Sequence, residues 1–173
     1  YPRRLSEFCP VREGAAAVVL CSADNARPRT TRPVWVASSV IATSSFGDGT
    51  PKGVSAVAAP EHAEHSEVTQ AVKKAFAAAG MGPEDLSFLE LQDNTPYYEL
   101  CFPEEWGIVE PGRMESLHAA GETTPVGKLP INPSGGFQSF GEATTAQGLF
   151  QICEVTWQLR GEATGRQVPN AKT

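Results

Sequence analysis

The sequence predicts an α/β domain, a mixed β-sheet covered by helices, and three observations carry the prediction. Residues 14–21 and 33–44 are short runs rich in Val, Ile and Ala, the composition of strands. Residues 65–80 repeat their apolar side chains every three or four positions, as a helix with one buried face does. Strand-like and helix-like stretches follow in the order β-β-α-β-α-loop-α-(β). Helices set between strands favour a sheet with helices layered over it.

The first run, GAAAVVLC, is expected to turn out through Ser22, Ala23, Asp24 and Asn25. The second, PVWVASSVIATS, leads into a Gly/Pro loop over residues 46–60. The clearest helix, residues 65–80, places Val68, Val72, Ala75, Phe76 and Ala79 on one face, with Gly80 as its stop. Pro83 to Leu86 predicts one further helical turn. LSFLEL, residues 86–91, alternates like a strand. A second helix is expected over residues 95–106, ending at Gly107. Residues 108–130 show no period and predict a long surface loop. A third helix is expected over residues 141–159, ending at Gly161, and Val168 begins one more strand.

Composition excludes several function classes. With 173 residues the chain suits one domain with a real core. The net charge of -6 argues against a nucleic-acid partner, because phosphate recognition needs clustered Lys and Arg. The basic stretches at Arg3-Arg4 and between Arg27 and Arg32 are small and read as solvated loop. No apolar run approaches the roughly 20 residues of a membrane span. Four cysteines, none in a CxxC pair and none at zinc spacing, predict free thiols and a cytoplasmic location. Tyr1 opens directly on a polar stretch, so no signal peptide is expected, and the missing initiator Met predicts a fragment or a processed piece.

Chemistry is expected at three places. His62 and His65, three apart, make a poor metal site, and no metal is predicted. His118 stands in the unpatterned loop. The stretch QDNTPYYE, residues 92–99, follows a predicted strand and opens a predicted helix, where ligands gather in α/β sheets. Asp93, Asn94 or Thr95 suffices as a helix cap. Tyr97 and Tyr98 are candidates to donate a hydrogen bond or act as general acid. The loop INPSGG, residues 131–136, lets a backbone approach a ligand closely at Ser134, Gly135 and Gly136. A helix start after it offers unpaired N–H groups, with Glu142 at that start. It is not a phosphate-binding P-loop, because no Lys-Ser/Thr follows at the required spacing.

Taken in order, these residues resemble one family. Asn132-Pro133-Ser134-Gly135-Gly136, Ser139, Gly141, Ala146, Gly148, Glu154 and Gln158-Leu159-Arg160-Gly161, followed by Arg166-Gln167-Val168, are similar to the thiolase superfamily, nearest the sterol-carrier-protein-X or lipid-transfer type. Cys9-Pro10 and Glu13-Gly14-Ala15-Ala16-Ala17 are similar to its D-G-A-A-A strand, and residues 91–99 to its L-H-D-C-F-S-x-N-E segment. The resemblance implies that residues 1–173 form a thiolase-like C-terminal domain of βαβαβ-type layers, without the N-terminal half and the final strand pair. It also implies a coenzyme A thioester as substrate with no further cofactor. The expected partners are the N-terminal half, a second copy in a homodimer and an OB-fold protein.

The departures from the family pattern shape the functional expectation. Glu142 stands where the family has the His of G-H-P, Gln92 where it has the His of H-D-C-F, and Tyr98 where it has the Asn of N-E. A carboxylate is a far weaker base than imidazole, so Cys-dependent thiolysis is not expected. The resemblance instead implies an enzyme of lipid or steroid side-chain metabolism that cleaves an acyl-CoA carbon–carbon bond by retro-aldol reaction. Tyr98, Glu142 and Tyr97 are its catalytic candidates, and Gln92, Asn132, Ser134, Gly135, Gly136 and Ser139 its substrate contacts. The alternative is a catalytically inactive acyl-CoA or lipid-binding subunit, or a structural subunit of a thiolase-like complex.

Overall fold

The computed structural model describes residues 7–43 and 67–173. The expectations for Arg3-Arg4, for the loop over residues 46–60 and for His62 and His65 fall outside them. Among the described residues six helices follow in chain order: α1 (Ala23–Ala26), α2 (Glu67–Ala79), α3 (Pro96–Glu105), α4 (Met114–Ala119), α5 (Gly136–Phe140) and α6 (Gln147–Arg160). A 3-10 turn at Pro83–Asp85 lies between α2 and α3, as the sequence predicted.

Glycine sets the ends of the long helices. Gly80, Gly107 and Gly161 have φ of 65, 73 and 70°, the left-handed region that stops a helix at little cost to a residue without Cβ. On α2, Lys73, Lys74, Ala77 and Ala78 are exposed, while Val68, Val72, Ala75 and Phe76 are half-buried, so the predicted face is real. Thr69, fully buried on that helix, donates its hydroxyl to Glu105 Oε1 at 3.0 Å and ties α2 to the end of α3.

The core lies between α3, α4 and two extended segments. Leu91, Phe102, Val109, Met114 and Ile131 are buried together, with Tyr98, Leu100, Trp106 and Leu117 packed around them. Segment 86–91, expected as a strand, is assigned none among the described residues and meets residues 130–132 at a single bridge. Leu89 N–H donates to Pro130 O at 2.9 Å, Asn132 N–H donates to Leu89 O at 2.8 Å, and a parallel bridge joins Leu89 to Ile131. The chain end closes on the same segment through Ser87 N–H to Thr173 O at 2.8 Å.

Several predicted elements differ. Residues 108–130 are not one loop, because α4 lies within them. Six residues are too few to show a period. The helix exists because Glu104 of α3 accepts from Gly112 N–H (2.8 Å) and Met114 N–H (2.7 Å), which satisfies donors at its start. The third helix begins at Gln147 rather than at position 141. The short α5 precedes it, and Gly141 breaks the path with φ of 87°. Val168 is buried but stands in no strand. Its N–H is held by Gln158 Oε1 at 2.8 Å, and Arg166 pairs with Glu154 at 2.7 Å.

Residues 14–21 and 33–43 form no ladder among the described residues. Val19, Leu20, Val36 and Ile41 are 95, 77, 68 and 89% exposed. Strand propensity reflects packing on a pleated, half-buried surface, and with no neighbouring strand among the described residues the same residues stay unpaired in any ladder and largely solvated. No helix among the described residues is long and apolar enough to cross a membrane.

Candidate functional site

Three segments meet around Glu142: residues 9–12, the 92–99 stretch that opens α3, and the 131–142 loop containing α5. Residues 10–12 pair with the backbone of Glu142. Glu142 N–H donates to Pro10 O at 2.9 Å and Arg12 N–H donates to Glu142 O at 3.0 Å. The crossing is so close that a Cβ on Gly141 would lie 2.7 Å from Pro10 O, which is one reason this position is glycine.

The side chain of Glu142 is half-buried and receives three donors. Asn94 Nδ2 lies 3.1 Å and Gln147 Nε2 lies 3.3 Å from Oε1, and Cys9 Sγ lies 3.8 Å from Oε2. Burial, then the negative charges of Glu142 and Asp93, pushes the Cys9 thiol up, so the neutral S–H form is favoured. Glu142 therefore does not stand at a helix N-terminus, as the sequence had led us to expect. It stands in the break between α5 and α6, in reach of residues far away in the chain.

The glycine loop is present with the required backbone: Gly135 and Gly136 have φ of 91 and 63°. Its N–H groups, however, are not left for a ligand. Glu90 accepts from Ser134 N–H at 3.0 Å and from Ser134 Oγ at 2.9 Å. Asp93, 1% exposed, accepts from Phe137 N–H at 2.7 Å and more weakly from Gln138 N–H at 3.5 Å. Gly136 sits hard against Asp93, where an added Cβ would come 2.1 Å from Oδ2. The amides expected to lie open at Ser134 and Gly136 have acceptors within the chain: Glu90 for Ser134 N–H, and Ser134 Oγ for Gly136 N–H at 3.1 Å.

Asn132 is likewise structural. It is buried with φ of 47°, its Oδ1 accepts from Leu91 N–H at 2.9 Å, and its Nδ2 donates to Glu99 at 3.4 Å. Burial raises all three inner carboxylates. Glu90 is pushed up to about 7 despite the opposing pull of Ser134; Asp93 and Glu99 rise more modestly.

Tyr97 and Tyr98 lie in the first turn of α3. The Tyr98 ring stacks on Phe102 at 5.0 Å, and Phe102 on Trp106 at 4.9 Å, a ladder that fixes the Tyr98 ring. Tyr97 meets Tyr98 edge-on at 5.9 Å and is 40% exposed. Gln92, Gly135 and Ser139 are exposed. Thr95 is the N-cap residue of α3 but makes no side-chain cap bond. His118, expected in a loop, lies in α4, and its Nδ1 is 2.9 Å from Thr123 Oγ1 just beyond that helix. Among the described residues no three His, Cys, Asp or Glu side chains gather to hold a metal ion.

Sequence reasoning missed Glu90, Cys9 and Gln147 as parts of the site. Only Glu90 left a signal, a charged residue inside the apolar LSFLEL run.

Beside Ser134, a cleft of about 530 Å³ is lined by Arg12, Ala15, Phe140, Phe150, Trp157 and Arg166, among others.

Comparison with known proteins gives a consistent picture. The profile of the family described as thiolase C-terminal domain-like matches residues 52–173. An acetyl-CoA acetyltransferase of Methanothermobacter thermautotrophicus is 36% identical over 99% of this chain and 43% of that protein. Sterol carrier protein 2 of Rattus norvegicus is 34% identical over 96% of this chain and 30% of that protein. The solved structure of an Ltp2-ChsH2(DUF35) aldolase superposes with a TM-score of 0.53 at 28% identity, over 61% of this chain and 26% of that one. The chain therefore spans less than half the length of these relatives.

Proposed function

The chain belongs to the thiolase C-terminal domain-like family, and from that membership we propose that it contributes the acid–base half of an enzyme cleaving an acyl-CoA carbon–carbon bond by retro-aldol reaction. The observation that carries the proposal is the environment of Glu142. A carboxylate stands where the family has histidine, and amide and thiol donors hold it in place. The likeness to an Ltp2-ChsH2(DUF35) aldolase supports the same reading.

In this reading the Glu142 carboxylate accepts the proton of the substrate β-hydroxyl. The Cα–Cβ bond breaks, a carbonyl forms at Cβ, and the bond's electron pair moves to the thioester enolate. Tyr98, its ring held by Phe102, donates to the enolate oxygen. The proton on Glu142 returns to Cα, so charge and atoms balance. Tyr97, Gln92, Gly135 and Ser139, all exposed, are assigned to the thioester arm in this reading. Tyr98→Phe in the intact protein is expected to lower kcat for a β-hydroxyacyl-CoA about 10²- to 10⁴-fold. Undiminished turnover rejects the role of Tyr98.

A second reading, an acyl-CoA or lipid-binding or structural subunit without turnover, draws on the loop amides already taken by Glu90 and Asp93. Calorimetry with an acyl-CoA panel separates the two, since binding without product favours this one.

The layered mixed sheet and the partners belong to the same proposal. Residues 14–21 and 33–43 gain ladder partners on association with an N-terminal thiolase half, a second copy or an OB-fold protein, which covers Val19, Leu20 and Ile41. Sedimentation of the isolated chain is expected to show self-association, and a well-behaved monomer counts against it.

A further inference from the structure

We infer that Cys9, Asn94 and Gln147 are positioning residues for Glu142, a three-donor clamp that fixes both oxygens of its carboxylate. The inference rests on the reading of Glu142 as proton acceptor and adds what aims it. Asn94 and Gln147 hold Oε1, and Cys9 holds Oε2. With both oxygens engaged, rotation of the carboxylate is stopped, and a fixed lone-pair direction is what a positioned base requires.

The backbone laces the clamp together. Cys9 N–H donates to Asn94 O at 3.0 Å, so two of the three donors are tied to each other. Residues 10–12 then pair with Glu142 itself. The third donor, Gln147, opens α6, five residues beyond the carboxylate it serves.

The clamp has a cost that identifies its purpose. Asn94 Oδ1 and Gln147 Oε1 are both buried, with no hydrogen-bond partner among the described residues. A buried acceptor left unmatched is destabilising. Turning either amide over would place its carbonyl against the carboxylate instead. Hydrogen bonds to an ionised acceptor are about twice as strong as neutral ones, so donation to Glu142 offsets the two orphaned oxygens. An acid that served only solubility needs neither donor.

The test reads the Cys9–Glu142 coupling without relying on turnover. Iodoacetamide alkylation of the intact protein at pH 8 is followed by peptide mass spectrometry, with Cys21 as internal reference. Removing the carboxylate charge in Glu142→Gln is expected to speed Cys9 alkylation about twofold or more and leave Cys21 unchanged. Asn94→Asp, which sets a second carboxylate beside the first, is expected to slow it. An unchanged Cys9 rate in a folded Glu142→Gln protein overturns the clamp, as does a faster rate in Asn94→Asp. In turnover assays Cys9→Ala is expected to lower kcat at constant KM, and Cys9→Ser to restore it. Wild-type kcat in Cys9→Ala also overturns the inference. If the unmodified protein shows no turnover at all, the aldolase reading fails while the alkylation result still decides the clamp.

Discussion

Residues 86–142 and residues 7–43 contain comparable apolar runs, yet the first are a packed core and the second lie open. Leu91, Phe102, Met114 and Ile131 are each 5% exposed or less, whereas Leu20 is 77% and Ile41 89% exposed. The difference is not in hydrophobicity. Segment 86–91 finds a neighbour in residues 130–132 and a roof in α3 and α4, while the N-terminal runs find neither among the described residues. Apolar content specifies what a segment can bury, and the partner decides whether it does.

The sharpest test of this contrast is a core truncation. Met114→Ala, at a residue 1% exposed, is expected to cost about 2–5 kcal/mol in denaturant unfolding. A loss below 1 kcal/mol would make the two regions alike. A smaller effect comes from Glu90, whose carboxyl is pushed up by burial from the ordinary 4.5 to about 7 in the folded chain. The folded state then binds the proton more tightly than the unfolded one, so stability falls as pH rises from 4.5 through 7 and levels off above. Glu90→Gln is expected to make that slope shallower in urea titrations at several pH values; an unchanged slope shows that Glu90 does not hold its proton. The smallest effect is expected at the open region. Leu20→Ser in the isolated chain should shift stability by no more than about 0.5 kcal/mol. A loss of 2 kcal/mol would mean that residues 14–21 are packed after all.

Much of the helical framework was legible, because periodicity and a terminal glycine are local signals: α2 and α3 lie within a residue or two of expectation. Helix α4 was not legible, since its donors are satisfied by Glu104 from another helix. The family resemblance was carried by residues whose work is now visible. Glu154, Gln158, Arg166 and Gln167 form one polar knot that folds the chain end back on α6. The site was legible only as a set of suspects. Glu142 stood out as a substitution, but the donors that hold it come from positions 9, 94 and 147, and no spacing rule connects those numbers. The glycine loop was recognised, but the acids that fill it act across more than 40 residues of chain.

That filling has a consequence for ligand choice. Asp93 is covalently attached to the chain whose amides it binds, so it competes for them at a high effective concentration. An acceptor arriving at the start of α5 has to displace that tethered rival first, so the Phe137 and Gln138 N–H groups are held by the chain itself rather than left for a visitor.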